Sequence, residues 1–134
     1  MNLSGKTVGV PVMHPVALGR QSGTVTLTVT PGSSGHTFVD LDPNENGASV
    51  PMLTLDSFGF QDVGFIKVDC EGYERQVLEG GVETIERERP VIIVEQKPDM
   101  ASRYGLDDTS AVPFLQDLGM RKVAVMNGDY IMRF

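Results

Sequence analysis

The chain has 134 residues, of which 40% are hydrophobic and 22% are charged, so it is long enough to form one globular domain with its own core. We therefore expect residues 1–134 to form a single domain. The net charge of −7, without any cluster of lysines and arginines, argues against a nucleic-acid partner. The single cysteine, Cys70, excludes an intrachain disulfide and favours a reducing compartment, the cytoplasm. Because the sequence shows no signal peptide or membrane span, we expect no membrane partner.

The first half of the chain alternates apolar and polar residues, as half-buried strands do. This pattern predicts strands over residues 8–12, 24–30 and 50–55, and we expect the first two to form an antiparallel hairpin. Pro11 restricts the first strand to a sheet edge or a bulge. Residues 31–35 could present backbone amides to an anion, and the acidic residues 40–48 could bind a cation. Neither stretch has the spacing of a known phosphate or calcium loop, so we interpret both as ordinary loops.

The central part of the chain has the pattern of a crossover unit. The apolar runs Phe65–Val68 and Val91–Val94 predict two strands. Between them, apolar residues from Val77 to Ile85 recur at a helical period, which predicts one amphipathic helix of about four turns that ends before Pro90. A strand, a helix and a strand in this order place the two strands parallel.

The last third of the chain predicts a helix and a hairpin. Asp108 or Thr109 is expected to cap the helix, whose apolar positions face the core until Gly119 ends it. Two short strands around Asn127 and Gly128 predict a tight antiparallel hairpin. The fold class is therefore α/β, with a parallel βαβ core, an N-terminal antiparallel hairpin and a C-terminal β-hairpin.

Three carboxylates follow or end the two central strands. Asp69 and Glu95 close the strands and Glu71 lies in the turn above, so we expect them to meet at one edge of the sheet. Asp69 could instead cap the next helix. Glu95 has no helix close after it, and Lys67 in the first strand is a candidate partner for its charge, although Lys67 could instead reach solvent past the strand end. Cys70 lies among acids that disfavour a thiolate, so we interpret it as structural.

These residues resemble the C-terminal part of the FkbM-type methyltransferases. The family's pattern is a leucine-aspartate pair, then "iKiDvEGyE…vLeGa", then "rPvi..E". It is matched in order by Leu55, Asp56, Lys67, Asp69, Glu71, Gly72, Glu74, Leu78, Gly80, Pro90 and Glu95. The resemblance implies a partial class I (Rossmann-like) fold and S-adenosylmethionine-dependent methylation of a hydroxyl group. The implied acceptor is a small molecule, a sugar or a polyketide-like metabolite.

The resemblance also implies roles for individual residues. Asp69, Glu71 and Glu95 are expected at the catalytic edge, and Lys67, His36 and Lys97 are expected to contact the acceptor. No metal site is implied.

The chain departs from the family in one respect. It contains no Gly-x-Gly sequence, and the match begins after the two cofactor loops, so no residue can be assigned to S-adenosylmethionine. We therefore expect cofactor binding by this chain alone to be incomplete. The strand Phe65–Val68 would lack one neighbour, so we expect it to be covered by the strand 8–12, by a second copy in a homodimer or by a partner chain.

Three functions are compatible with the sequence. The first is an FkbM-like O-methyltransferase, or half of one, that binds the cofactor through a partner chain or in an unfamiliar way. The second is a non-catalytic remnant that acts as a binding or assembly module. The third, a hydrolase or metal site built on the same acids, has no histidine-rich or paired ligand spacing to support it.

Overall fold

The structure, a computed structural model, describes residues 9–29, 32, 37–41 and 47–134. The first half of the chain forms one four-stranded sheet, in the order β1-β4-β2-β3. Its strands are β1 (Ala17–Leu18), β2 (Gly23–Val29), β3 (Thr37–Asp40) and β4 (Ala48–Leu53). Strand β2 is antiparallel to both of its neighbours, whereas β1 is parallel to β4.

The expected strand over residues 8–12 is wrong in its described part. Residues 9–12 belong to no strand, and Val10 and Val12 are 88% and 76% exposed; Val8 lies outside the described residues. The physical reason is that β3 and β4 occupy both edges of β2, so no edge is left for an N-terminal partner. The predicted N-terminal hairpin is therefore replaced by a different antiparallel arrangement.

The second half of the chain forms another four-stranded sheet, in the order β5-β6-β8-β7. Its strands are β5 (Phe65–Val68), β6 (Val91–Glu95), β7 (Arg121–Met126) and β8 (Asp129–Arg133). Strands β5 and β6 are parallel, as the crossover pattern predicted, and β8 is antiparallel to β6 and β7. Asn127 and Gly128 turn the chain between β7 and β8 with φ values of 52° and 90°, which suit this residue pair.

The single helix predicted between β5 and β6 is two short helices, α1 (Glu74–Glu79) and α2 (Val82–Glu88). The chain breaks at Gly80, where a Cβ atom would overlap the carbonyl oxygen of Gly19. Helix α2 then begins under the Asp56 carboxylate, which accepts hydrogen bonds from the Thr84 N–H at 2.8 Å and the Glu83 N–H at 3.2 Å. The break thus results from contacts with distant parts of the chain.

The last helix is α3 (Ala111–Asp117), and Gly119 follows it with a φ of 94°. The expected cap by Asp108 or Thr109 is wrong. Asp108 accepts a hydrogen bond from the Asp99 N–H instead, and the Ala111 N–H donates to the side chain of Gln96 at 3.0 Å. A residue that follows β6 therefore satisfies the start of α3.

One hydrophobic core joins the two sheets and the helices. Its fully buried members include Leu78, Ile85, Ile92, Leu115 and Met132. Among the described residues, β5 pairs only with β6, so its other edge is open, and Phe65 is 56% exposed. Residues 9–12 do not cover this edge. Within the described part of the chain, no helix is long and apolar enough to cross a membrane.

Candidate active site

The loop that follows β5 has a backbone conformation that few residues adopt. Glu71 and Gly72 have φ values of 52° and 99°. A Cβ atom at position 72 would overlap the backbone of Met100, so only glycine fits there. This turn sets the direction in which Asp69 and Glu71 leave the end of β5.

Glu74 holds this loop in place. Its side chain is buried, and Oε1 accepts hydrogen bonds from the Cys70 N–H at 2.9 Å and the Gly72 N–H at 3.0 Å. Its second oxygen, Oε2, accepts a hydrogen bond from Gln96 Nε2 at 3.2 Å. Hydrogen bonds to an ionised acceptor are stronger than neutral ones, so this carboxylate fixes the loop against α1.

Gln96 extends the network from the loop to α3. Its amide donates to Glu74 through Nε2 and accepts from the Ala111 N–H through Oε1. From the sequence, Glu74 was identified only as one residue of the FkbM pattern, and Gln96 was given no role. The sequence does contain a signal for both residues: Glu74 lies just before the apolar positions of α1, and Gln96 lies just after the apolar strand β6. Polar groups buried beside such runs are normally hydrogen-bonded.

Asp69, Glu71 and Glu95 meet at the carboxyl ends of β5 and β6. One carboxylate oxygen of each lies within 4.8 Å of the others. Asp69 is exposed, whereas Glu71 and Glu95 are half-buried. Asp69 does not cap α1, because Tyr73 occupies the cap position and no side chain caps that helix. The expected meeting of the three acids is thus observed, and their catalytic roles stay a prediction.

Lys97 is the cation of this acid cluster. Its Nζ lies 2.7 Å from Glu95 Oε2 and 3.7 Å from Glu71 Oε1. The hydrogen bond to Glu95 raises the pKa of Lys97 above its ordinary value; burial opposes the rise, and the charges of Glu71, Glu95 and Asp69 add to it. The three carboxylates have the spacing to hold a metal ion, but an ammonium group already lies among them.

The acceptor contacts expected for Lys67, His36 and Lys97 stay predictions. Lys67 was a candidate partner for Glu95, but it pairs with Asp129 instead. Its Nζ lies 3.2 Å from Asp129 Oδ1. The reason is that Lys97 supplies the charge partner of Glu95, while Asp129 of β8 lies directly across from Glu95 in the sheet. His36 lies outside the described residues.

Cys70 fits the structural role expected from the sequence. Burial, followed by the nearby charge of Glu74, raises the pKa of its thiol to about 12. The thiol therefore stays protonated near neutral pH and is a poor nucleophile.

An apolar cavity of about 340 Å³ borders Asp69 and Cys70. Its wall comes from both halves of the chain: Val16, Leu18, Leu27, Phe38 and Val39 of the first sheet region, and Tyr73 and Val77 of the second. This cavity and the acid cluster share Asp69, so a molecule bound in the cavity would lie next to a carboxylate.

Comparison with known protein families matches residues 7–122 to the methyltransferase FkbM domain. The chain belongs to this family. Its fold is also similar to that of a crystal structure of methyltransferase FkbM from Methylobacillus flagellatus KT, with 16% sequence identity and a TM-score of 0.50. The similarity covers 90% of this FkbM chain and 27% of that chain, so this chain spans about a quarter of the solved protein. No curated protein matches the sequence.

The FkbM motif residues divide into two groups in the structure. Asp56, Gly80 and Pro90 have architectural positions: Asp56 caps α2, Gly80 contacts Gly19, and Pro90 is buried immediately before β6. Asp69, Glu71 and Glu95 form the acid cluster at the strand ends. The FkbM pattern therefore combines residues that build the unit with residues that could act on a ligand.

Proposed function

We propose that this FkbM chain is the acceptor-side part of an S-adenosylmethionine-dependent O-methyltransferase with a class I, Rossmann-like fold. The observation that carries the proposal is the acid cluster, since Asp69, Glu71 and Glu95 lie within 4.8 Å of one another at the ends of two parallel strands. Ligands of α/β sheets bind at this edge. Membership of the methyltransferase family supports the same conclusion.

Asp69 is the best candidate to accept the proton of the acceptor hydroxyl. It is the exposed member of the cluster and it borders the apolar cavity, whereas Glu95 is engaged with Lys97. Glu71 lies in the turn after β5, with a φ of 52°, and Glu74 holds that loop in place. A positioned base contributes about 10²- to 10⁴-fold to a rate, and orienting the hydroxyl contributes in addition.

S-Adenosylmethionine, when bound, would supply a methyl group on a positively charged sulfur. The described residues fit part of such a molecule: the apolar cavity could take a flat apolar group, and Asp69 at its border carries the opposite charge to the sulfonium. For the ribose hydroxyls and the amino-acid end, the sequence offers no glycine-rich loop. The chain's own residues thus provide one wall of a cofactor site.

We propose that a second copy or a partner chain pairs with the open edge of β5 and completes the site. An unpaired strand edge presents N–H and C=O groups that readily bind another strand. The alternative function is a non-catalytic binding or assembly module. It is supported by the absence of any Gly-x-Gly from the sequence.

Calorimetric titration with S-adenosylmethionine and S-adenosylhomocysteine, with light scattering for the mass, tests the proposal. Micromolar binding, about −8 kcal/mol, would support a rebuilt cofactor site. No binding at millimolar cofactor would show that this polypeptide alone is not a methyltransferase, which favours the partner-completed enzyme or the binding module.

If cofactor binds, methyl transfer should then be measured on a panel of hydroxylated acceptors. We expect Asp69→Asn to lower the rate by about 10²-fold or more. The matched control is Asp117→Asn, which removes the same charge from the exposed side of α3 and should leave the rate unchanged. Equal rates for wild type and Asp69→Asn would refute the role of Asp69.

A further inference from the structure

A second cavity, of about 500 Å³, shares Tyr73 with the apolar one. Its volume is in the range of small-molecule sites, about 300–1,000 Å³. Its wall is more polar and includes Arg20, Ser22, Thr24, Tyr73, Gln76 and Tyr104. None of these residues belongs to the acid cluster, and among them only Tyr73 also lines the apolar cavity.

Gln76 is the first indication that this cavity binds a ligand. The residue is 3% exposed and lies on α1, where it lines this cavity and its neighbours Val77 and Leu78 are buried. Among the described residues, its Oε1 atom has no hydrogen-bond partner. A buried amide oxygen without a partner is unfavourable and rare, so a donor from outside the protein is expected there.

The charge on the rim is the second indication. Arg20 Nε lies 3.2 Å from Glu79 Oε2, and Arg75 Nε lies 3.0 Å from Glu79 Oε1. Two guanidinium groups thus share one carboxylate, which leaves a local positive charge in a chain whose net charge is −7. Arg20 lines the cavity, and a guanidinium group has five N–H donors with the geometry to bind a carboxylate or phosphate.

Two tyrosine rings give the cavity a rigid apolar surface. The rings of Tyr73 and Tyr104 meet edge to face, with centroids 4.9 Å apart and an angle of 69°. The Tyr104 hydroxyl donates to the Val39 carbonyl at 2.9 Å, which fixes its ring. Rigid aromatic rings suit the C–H faces of a compact organic molecule.

We propose that this cavity binds a hydroxylated organic anion. Its carboxylate or phosphate group pairs with Arg20, and one of its hydroxyl groups donates a hydrogen bond to Gln76. The proposal goes beyond the methyl-transfer function and does not depend on it, since it concerns binding at residues other than Asp69, Glu71 and Glu95.

Calorimetric titration of the full chain, without cofactor, tests the proposal with four probes. Glucuronate and glucose 6-phosphate carry both the anion and the hydroxyl groups, glucose lacks the anion, and inorganic phosphate lacks the carbon frame. We expect at least one of the first two to bind about tenfold or more tightly than both controls. A response to glucuronate alone identifies a carboxylate ligand, and a response to glucose 6-phosphate alone identifies a phosphate ligand.

Two variants assign the binding to this cavity. Arg20→Gln should weaken binding of the anion about tenfold or more, whereas Arg121→Gln, the same change on the exposed strand β7, should leave the affinity within about twofold. Gln76→Leu should also weaken binding about tenfold, while the melting temperature of the free chain should not fall, because an apolar side chain replaces an amide oxygen without a partner.

Three results would overturn the proposal. The first is that neither glucuronate nor glucose 6-phosphate binds at about 10 mM, a concentration at which even weak specific binding is detectable. This result would mean that the cavity holds water only. The second is equal affinities for wild type and Gln76→Leu. The third is a lower melting temperature for free Gln76→Leu, which would show that the amide is already satisfied without a ligand. A failed cofactor titration would leave all of these results unaffected.

Discussion

Removing the Glu74 carboxylate should destabilise the chain more than any other single change to an acid. In Glu74→Ala, the N–H groups of Cys70, which is partly buried, and of Gly72, which is buried, lose their common acceptor together with the amide of Gln96. A hydrogen bond to a charged group contributes about 1.5–3 kcal/mol, so three independent bonds would sum to about 5–9 kcal/mol. The bonds share one carboxylate, and water can enter the vacated space, so we expect a loss of about 3–5 kcal/mol.

A more conservative variant separates the two halves of the network. In Glu74→Gln, Oε1 can still accept from the Cys70 and Gly72 N–H groups, but the new amide nitrogen faces Gln96 Nε2, and both are donors. We expect a loss of about 1–2 kcal/mol. Gln96 cannot resolve the conflict by rotating its amide, because its own oxygen accepts from the N–H of Ala111.

The assay is urea unfolding followed by far-ultraviolet circular dichroism, with free energies from linear extrapolation. The matched control is Glu86→Ala on the exposed side of α2, where we expect a change within about 0.5 kcal/mol. A loss below about 1 kcal/mol for Glu74→Ala would refute the reasoning, because it is less than a single hydrogen bond to a charged group contributes. The expected loss is large compared with the total stability of a typical domain, about 5–15 kcal/mol. A much smaller loss would show that the loop after β5 is held by something other than this carboxylate.

Three further changes test other parts of the structure. Asp56→Ala should lower the free energy of unfolding by about 1–2 kcal/mol through the loss of the α2 cap, and Asp56→Asn should lower it less, both measured by urea unfolding. Gly80→Ala should lower the melting temperature far more than Gly64→Ala, because only the first new methyl group overlaps another backbone. Unfolded chain releases the Cys70 proton near pH 9 but folded chain keeps it to about pH 12, so stability should fall as pH rises between these values, and less in Cys70→Ala.

The parallel crossover was predictable because its signals are local. Two short apolar runs separated by an amphipathic stretch have few other solutions, and acids that end such strands necessarily meet at one edge. The same local patterns predict that β5, β6 and the final hairpin are present, and all of them lie in one sheet. The FkbM pattern then connects these elements to a family through residues that lie in the same unit.

The errors come from contacts between distant residues. Nothing in the amphipathic pattern from Val77 to Ile85 indicates a break, because the break depends on Gly19 and Asp56, which precede it by more than twenty residues. The alternation at residues 8–12 predicts a strand, but a strand needs a free edge, and β3 and β4 leave none on β2. The candidate pairing of Lys67 with Glu95 failed because the register of β8 places Asp129 across from Glu95, and no local pattern specifies that register.

The described helices are short, with six residues in α1 and seven each in α2 and α3. Isolated helices below about 12–15 residues are marginal in water, so none of these segments would hold its shape as a free peptide. Each depends on groups supplied from elsewhere in the chain, such as Asp56 for α2 and Gln96 for α3. The helical signal of this chain in circular dichroism is therefore a measure of its tertiary structure, and it should disappear in the same transition as the packing of the two sheets.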